Sequence, residues 1–218
     1  MQYLQARQQV LKTAQEILSA RLVIGTWGNV SMRIPGEELM VITPSGMDYE
    51  TLTPEDMALV DFQQELIEGP YRPSTETPMH TEIYKKRPDA GAVVHVHSPY
   101  AAAFAVAGQP IPVILEETAQ AIGHPIMVAP YARCGTHQLA SSAASTLGEN
   151  GRAVLLSMHG LLTLGPDLKE ALKVCYVAEK TAMVALLAKT LGQVPCLGED
   201  DVKILHRKFQ SYKQMKKD

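Results

Sequence analysis

The stretch Val93-Val94-His95-Val96-His97-Ser98-Pro99 places two histidines one residue apart inside an apolar run. Valine favours the strand conformation, in which alternate side chains share a face, so His95 and His97 point the same way. On a helix the same two side chains would diverge by roughly 200°. Two imidazoles on one strand face could bind a metal ion, or they could be half-buried, hydrogen-bonded histidines. The motif alone leaves both interpretations open.

The composition is that of one globular domain. The 218 residues are 46% hydrophobic, which is enough for a substantial core. A net charge of −3 and a pI near 6.2 predict no general affinity for nucleic acid or for an anionic membrane. No apolar run approaches a membrane span, and the start "MQYLQARQQV" does not resemble a signal peptide. Cys134, Cys175 and Cys196 form no C-x-x-C pair, so we expect free thiols in a cytoplasmic protein.

The hydrophobic pattern predicts a single α/β domain with helices around a central sheet. Its elements are interspersed too irregularly for a plain doubly wound order. Strands are predicted in "GTWGNVSMRI", "ELMVITPSG", "MALVDFQQELIEG" (a pair), "VVHVH", "IPVILEE" and "RAVLLSMHG". Helices are predicted near residues 4–22, 77–87, 99–106, 136–147 and 167–191. The last segment is expected to begin as a helix and to end, from about residue 208, in a mobile basic tail.

Two further residues could join the histidine pair. His159 ends the predicted strand "RAVLLSMHG", where Gly160 lets the backbone turn, and Glu76 stands at a helix start in "STET". Three neutral imidazoles with an open position are a recurring arrangement for catalytic zinc. A nearby carboxylate can serve such a metal as a fourth ligand or as a base. The pattern therefore indicates a candidate metal centre.

Small polar residues accompany glycine or threonine in three separate turns. The dipeptides are Gly28-Asn29, Ser45-Gly46 and Ser74-Thr75. Hydroxyls, amides and backbone N–H groups at turns and helix starts can bind a phosphate without a cluster of cations. Each dipeptide taken alone is more typical of a plain turn, so the three indicate a phosphate site only in combination.

Taken together, the motifs "GTWGNVSMR", "ITPSG", "STET", "VVHVHSPYA", "APYARCGT" and "HGLLTLG" resemble those of the class II aldolase/adducin family. The resemblance covers nearly the whole chain, including the tail segment "KFQSY". It implies a three-layer α+β domain over residues 1–218, with a central, mainly antiparallel sheet flanked by helices. It also implies a homotetramer with active sites at subunit contacts.

The same resemblance implies a zinc-dependent aldehyde-lyase. The substrate would be a ketose 1-phosphate, with L-fuculose 1-phosphate and 5-deoxyribulose 1-phosphate as candidates, cleaved to dihydroxyacetone phosphate and an aldehyde. Carried over onto this chain, His95, His97 and His159 would hold Zn2+ (Mn2+ or Co2+ are possible), and Glu76 would alternate between metal ligand and catalytic acid/base. The residues expected at the phosphate are Thr26, Gly28, Asn29, Ser45, Gly46, Ser74 and Thr75.

The aldehyde end matches the family less well. In members that act on fuculose phosphate, tyrosines from a neighbouring subunit and from the C-terminal tail carry the proton of the aldehyde oxygen. Tyr212 in "KFQSY" matches the tail tyrosine, but Glu116 stands at the other tyrosine position. Cys134 replaces an aromatic residue in "YARCGT". The resemblance therefore leaves the identity of the aldehyde open.

Three other functions occur on the same scaffold. Pentulose-phosphate 4-epimerases typically carry aspartate at the position of Glu76, and methylthioribulose-1-phosphate dehydratases share the zinc triad. Adducin-like members are non-catalytic scaffolds that have lost the metal ligands. Glu76 together with the aldolase-like tail favours the aldolase.

Two residues close to these motifs receive structural interpretations. His80, four residues after Glu76 on the same helix face, is expected to support the site or the fold rather than to bind metal. Trp27, beside the first turn, is expected to be a core or interface anchor.

Overall fold

The computed structural model describes the backbone of residues 1–214 and the side chains of residues 1–211. Within this part of the chain, seven α-helices surround one sheet of eight strands. The strands are β1 (Asn29–Arg33), β2 (Leu39–Ile42), β3 (Ala58–Asp61), β4 (Leu66–Glu68), β5 (Ala92–Val96), β6 (Val128–Ala129), β7 (Ala153–Leu156) and β8 (Gly160–Gly165). The helices are α1 (Leu4–Ser19), α2 (Thr77–Lys86), α3 (Pro99–Ala107), α4 (Glu116–Ala121), α5 (His137–Leu147), α6 (Leu168–Leu191) and α7 (Glu199–Gln214).

The sheet has the strand order β4-β3-β2-β1-β5-β8-β7-β6. All neighbouring strands pair antiparallel except β6 and β7, which are parallel. Strand β5 lies in the interior of the sheet between β1 and β8. The predicted α/β domain with a mainly antiparallel sheet is confirmed.

Both faces of the sheet are covered, and β5 contributes to both cores. Val94 and Val96 pack with residues of α1, α3 and α6, whereas Val93 packs with residues of α2 and α5. This alternation follows from the two-residue repeat of a strand and produces three layers. His95 has the parity of Val93, so its side chain lies on the face covered by α2 and α5.

Two helices begin with a side-chain cap, at the positions where the sequence predicts that these helices start. The Asp167 carboxylate accepts a hydrogen bond from the Glu170 backbone N–H at 2.8 Å and starts α6. The Thr136 hydroxyl accepts one from the Leu139 N–H at 3.2 Å and starts α5. These caps satisfy backbone donors that the first helical turn leaves without partners.

Two strand predictions need correction. The segment "IPVILEE" is not a strand: Ile111 forms only an isolated bridge to Ile126, and Glu116 already belongs to α4. Pro110 and Pro112 flank Ile111 and lack the N–H groups that a longer ladder would need. Conversely, β8 was not predicted, because it is buried along its whole length and shows no polar alternation.

The C-terminal helix extends further than the sequence suggests. Helix α7 continues to Gln214, past residue 208, where the tail was expected to begin. It packs against α4 through a small cluster that includes Val202 and Ala119. Among the described residues, no helix has the length and apolar character needed to cross a bilayer.

Candidate active site

Two neighbouring strand connections supply the three histidines. His95 lies in β5, opposite Asn29 of β1 and Leu162 of β8, and His97 is the first residue beyond the strand. His159 lies in the tight turn between β7 and β8, rather than at the end of a strand as predicted. Because β8 pairs with β5, this turn delivers His159 beside the other two imidazoles.

The three imidazoles surround one point. Their ring centroids are 4.8 Å apart in each of the three pairs, and one candidate ligand nitrogen per ring lies within 4.8 Å of the others. The His95 and His97 Nε2 atoms are 3.0 Å apart. Two nitrogens bound to one tetrahedral zinc at about 2.0 Å would be about 3.3 Å apart. The spacing therefore fits ligands that share one ion.

Hydrogen bonding and burial favour the protonation state that a metal requires. The Leu161 carbonyl can only accept, so His95 donates from Nδ1 at 3.0 Å and its Nε2 lone pair faces the centre. Burial, together with a smaller effect of the nearby His95, lowers the pKa of His97 to about 3 and the pKa of His159 to about 4. These rings stay neutral at ordinary pH, as metal ligands must.

Glu76 completes this cluster as the residue that precedes α2, as predicted. Its carboxylate is only 5% exposed, with Oε2 3.0 Å from His95 Nε2 and Oε1 3.7 Å from His159 Nε2. Burial acts to raise the pKa of this carboxyl, whereas positive charge on His95 or His159 and the hydrogen bond from the Asn29 amide act to lower it. Oε1 has no hydrogen-bond partner among the described residues. A buried carboxylate oxygen without a partner, beside imidazole lone pairs, fits a bound cation.

A carboxylate from α6 fixes the chain directly after His97. Glu179 accepts hydrogen bonds from the Ser98 hydroxyl at 2.7 Å and from the N–H groups of Tyr100 and Ala101 at 3.0 and 2.8 Å. These bonds satisfy the start of α3, which favours a negative charge. His97 is thus held between strand β5 and an anchored helix.

A cleft of about 520 Å³ opens over this cluster. All seven residues predicted at the phosphate line it, together with Glu76, His97 and His159. No lysine or arginine occurs among the described residues that line the cleft. A larger cleft, of about 630 Å³, lies between α1 and α6 and contains none of the predicted site residues.

The second and third turns can offer an anion their hydroxyl groups, but not the backbone amides of Ser45 and Ser74. The Ser45 N–H donates to the Arg72 carbonyl and the Ser74 N–H to the Thr43 carbonyl, so these amides are engaged. Ser74 Oγ accepts from the Glu76 N–H at 3.2 Å and keeps its own proton to donate. The turn that carries Ser74 is therefore bonded directly to the backbone of Glu76.

Gly28 shows why the first turn needs glycine. Its φ is +103°, a conformation that other residues rarely adopt. A Cβ at this position would lie 2.8 Å from the His95 carbonyl oxygen and 2.6 Å from a Val23 methyl group. Its own carbonyl accepts from the Tyr49 hydroxyl at 2.5 Å. The absence of a side chain thus lets the turn approach the histidine strand.

The sequence profile of the class II aldolase and adducin N-terminal domain matches residues 8–186. This chain belongs to that family. The chain is 36% identical over 208 residues to the 5-deoxy-D-ribulose 1-phosphate aldolase of Bacillus thuringiensis serovar kurstaki, covering 95% of this chain and 97% of the relative. It is also 36% identical over 205 residues to an L-fuculose phosphate aldolase of Escherichia coli, covering 94% of each.

A solved structure confirms the family fold. The solved structure of an L-fuculose 1-phosphate aldolase superimposes with a TM-score of 0.91 at 32% sequence identity. The match covers 94% of this chain and 96% of the other. Family, fold and the ordered motifs of the sequence thus agree.

The mouth of the cleft contains residues that the sequence did not reveal. Tyr131 and Met158 line it and are 61% and 68% exposed. Trp27 also lines it and is 65% exposed, so it is not a core residue; its ring is stacked 6.4 Å from the His97 ring. Tyr131 is the first residue of the quoted segment "YARCGT" and Met158 directly precedes "HGLLTLG", which was the available signal.

The residues that depart from the family pattern occupy different places. Cys134 lines the cleft, whereas Glu116 begins α4 and is absent from the described lining. The side chain of Tyr212 lies outside the described residues, so its predicted role stays a prediction.

Proposed function

We propose that the protein is a zinc-dependent class II aldolase. It would cleave a (deoxy)ketose 1-phosphate to dihydroxyacetone phosphate and an aldehyde. The observation that carries this proposal is the buried Glu76 carboxylate, whose partnerless Oε1 lies beside three converging imidazoles at the floor of a polar cleft. Membership of the class II aldolase and adducin family supports it.

His95, His97 and His159 would hold the metal, with Glu76 as a further ligand. Neutral imidazoles suit zinc, and Mn2+ or Co2+ are the alternatives. When bound, the cation polarises the ketose carbonyl and neutralises the negative charge that develops as the carbon–carbon bond breaks.

The phosphate would bind to the three turns at the opposite side of the cleft. The hydroxyls of Ser45, Ser74, Thr26 and Thr75 and the turn at Gly46 supply donors. Asn29 is already bonded to Glu76 through Nδ2, which has a second N–H. L-Fuculose and 5-deoxyribulose both end in a methyl group, which suits the exposed apolar side chains at the mouth.

Two proton transfers would accompany cleavage. As the C3–C4 bond breaks, its electron pair stays with C3, which takes a proton from Glu76. The C4 hydroxyl would become the aldehyde carbonyl and lose its proton to the Tyr212 oxygen as the phenolic proton passes to solvent, and solvent would return a proton to Glu76 for the next turnover. Glu76 suits the first transfer because it lines the cleft and its Oε1 has no hydrogen-bond partner in the described part of the chain.

The assembly would be a homotetramer whose subunit contacts complete the mouth. The exposed Trp27, Tyr131 and Met158 support this, because large apolar side chains clustered at a functional rim are typical of interfaces. The free thiols of Cys134, Cys175 and Cys196 suit a reducing compartment, the cytoplasm.

The test separates proton transfer from bond cleavage. Ketose 1-phosphates are screened for release of dihydroxyacetone phosphate, and hydrogen exchange of dihydroxyacetone phosphate alone is followed in deuterated water. We expect Glu76→Gln to lower both rates by about 10³-fold, whereas Glu82→Gln on the exposed side of α2 stays within twofold. Tyr212→Phe should lose cleavage but keep exchange.

Metal dependence is tested on the same preparations. Exhaustive chelation should abolish both reactions, and added Zn2+ should restore them. Full activity after chelation, or epimerisation or dehydration of a pentulose phosphate in place of cleavage, would contradict the proposal. A protein without stoichiometric metal and without activity would support an adducin-like scaffold.

A further inference from the structure

A continuous chain of buried polar side chains leads from the interior of the protein to Glu76. Its links are Tyr84 Oη to Ser31 Oγ at 2.8 Å and Ser31 Oγ to His80 Nδ1 at 2.6 Å. His80 Nε2 then lies 2.6 Å from Asn29 Oδ1, and Asn29 Nδ2 lies 3.1 Å from Glu76 Oε2. Each of these five residues is at most 5% exposed.

The donors and acceptors of this chain can be assigned in one direction. Glu76 Oε2 accepts, so Asn29 presents its Nδ2 there and its Oδ1 to His80. Oδ1 also accepts, so His80 donates from Nε2. Burial lowers the pKa of His80 to about 3, which keeps the ring neutral and leaves a lone pair on Nδ1.

The remaining two links follow from that lone pair. Ser31 donates its hydroxyl proton to His80 Nδ1 and therefore accepts at its own oxygen from Tyr84. Burial raises the pKa of Tyr84 above its usual range, so the phenol keeps the proton that it donates. Every proton along the chain thus points towards Glu76, which lets the successive hydrogen bonds strengthen one another.

We propose that His80 is a positioning residue that, through Asn29, holds the Glu76 carboxylate in one orientation, with Oε2 accepting from Asn29 and Oε1 left without a partner among the described residues. This inference rests on the proposed role of Glu76 as proton carrier. Oε2 accepts from Asn29 whether or not Glu76 is protonated, so the assignment holds through the reaction cycle. Oε1 is the oxygen without a hydrogen-bond partner in the described residues, and Glu76 lines the cleft.

The opposite direction of hydrogen bonding along this chain of side chains would be electrostatically unfavourable. A proton on His80 Nδ1 would make Nε2 an acceptor and would turn Asn29 Nδ2 towards it. Asn29 Oδ1 would then face Glu76 Oε2 at the 3.1 Å of the present contact, with no proton between two acceptors. The tautomer of His80 therefore decides which atom Asn29 presents to the carboxylate.

The first test reads the tautomer directly. Metal-free and zinc-loaded protein labelled with 15N-histidine is studied by NMR at neutral pH, with His80→Gln used to assign the resonances. We expect a neutral His80 ring with its proton on Nε2 in both samples. A proton on Nδ1, or a charged ring, would overturn the proposal whatever the activity.

The second test measures the rates of proton transfer and of turnover. His80→Leu removes the donor to Asn29 and should lower the exchange of dihydroxyacetone phosphate hydrogen and kcat by about 10- to 100-fold, with KM within twofold. His80→Gln, whose amide can still donate to Asn29, should recover most of both rates. Tyr84→Phe, at the far end, should lower them by a smaller factor and keep the fold.

A matched control separates this role from a structural one. Thr181→Val also removes a buried, hydrogen-bonded group, the hydroxyl that pairs with Thr118 at 2.6 Å, and should leave exchange and kcat unchanged. Wild-type rates in a folded His80→Leu, or equal losses in His80→Leu and His80→Gln, would contradict the inference alone. A wild type that neither exchanges nor cleaves would contradict the proposed function, and the NMR result would still decide the polarity.

Discussion

Replacing Gly160 with alanine is expected to disrupt the histidine cluster, although the change adds only one methyl group. The new Cβ would lie 2.4 Å from the Val96 carbonyl oxygen, 3.2 Å from His97 Cδ2 and 3.3 Å from His95 Cε1. Ordinary contact begins near 3.4 Å, so the oxygen would have to move by about 1 Å. That oxygen belongs to the backbone of β5, the strand that carries His95.

The expected loss of stability and of zinc affinity follows from two quantities, the energetic cost of overpacking and the tolerance of metal–ligand distances. Overpacking of a well-packed interior costs about 1–3 kcal/mol in the free energy of unfolding. Metal–ligand distances tolerate only about 0.2 Å, so a 1 Å movement of the strand would separate the imidazoles from a shared ion. We therefore expect zinc affinity to fall by tenfold or more, which corresponds to at least about 1.4 kcal/mol.

The assay combines zinc content after dialysis against a competing chelator with urea unfolding of the metal-free protein. Gly198→Ala is the matched control, because the nearest atom to its added Cβ is Asp201 Oδ2 at 3.7 Å. If Gly160→Ala retained zinc and stability as well as Gly198→Ala does, the close approach of β8 to the histidine strand would not shape the site.

Three further predictions concern the phosphate, a helix cap and pH. Ser45→Ala should raise KM and weaken competitive inhibition by inorganic phosphate by a common factor of about 10 to 100, because a hydroxyl donor to a charged group is worth about 1.5–3 kcal/mol. Asp167→Ala should lower the free energy of unfolding, measured in urea, by about 1 kcal/mol and leave kcat unchanged, because it removes the cap of α6. His80, His97 and His159 bind protons in the unfolded chain below pH 6.5 but in the folded chain only near pH 3 to 4. The unfolded state therefore binds more protons in this window, so the metal-free protein should lose stability as the pH falls from about 6.5 to about 3. The buried His80 alone contributes up to about 1.4 kcal/mol per pH unit, and equilibrium unfolding at several pH values should show a shallower slope for His80→Gln.

Much of the site could be predicted because it depends on local periodicity. The two-residue repeat of a strand places His95 and His97 on one side, and the residue before a helix places Glu76 at its start. The class II aldolase motifs then indicated which turns surround them, and those turns line one cleft. The roles of these residues remain predictions.

The rest depends on pairing between distant segments, which no local pattern encodes. His159 reaches the cluster only because β8 pairs with β5. The sequence of β8 is so uniformly apolar that its pattern does not predict a strand. The contacts of His80 join β1 to α2 across about 50 residues of sequence. The sequence does not distinguish the buried Ser31 from any other serine in a strand, because its hydrogen-bond partners are distant in the sequence.

The anchoring of His97 by Glu179 has a consequence for how such an enzyme could be redesigned. The carboxylate that secures the segment after the histidine strand comes from the middle of α6, far along the chain and away from the mouth that Trp27, Tyr131 and Met158 form. Substitutions of Tyr131 can therefore remodel the outer wall while this anchor keeps its geometry. Trp27 is stacked on His97 and Met158 directly precedes His159, so libraries that vary these two positions should change metal loading as well as aldehyde preference.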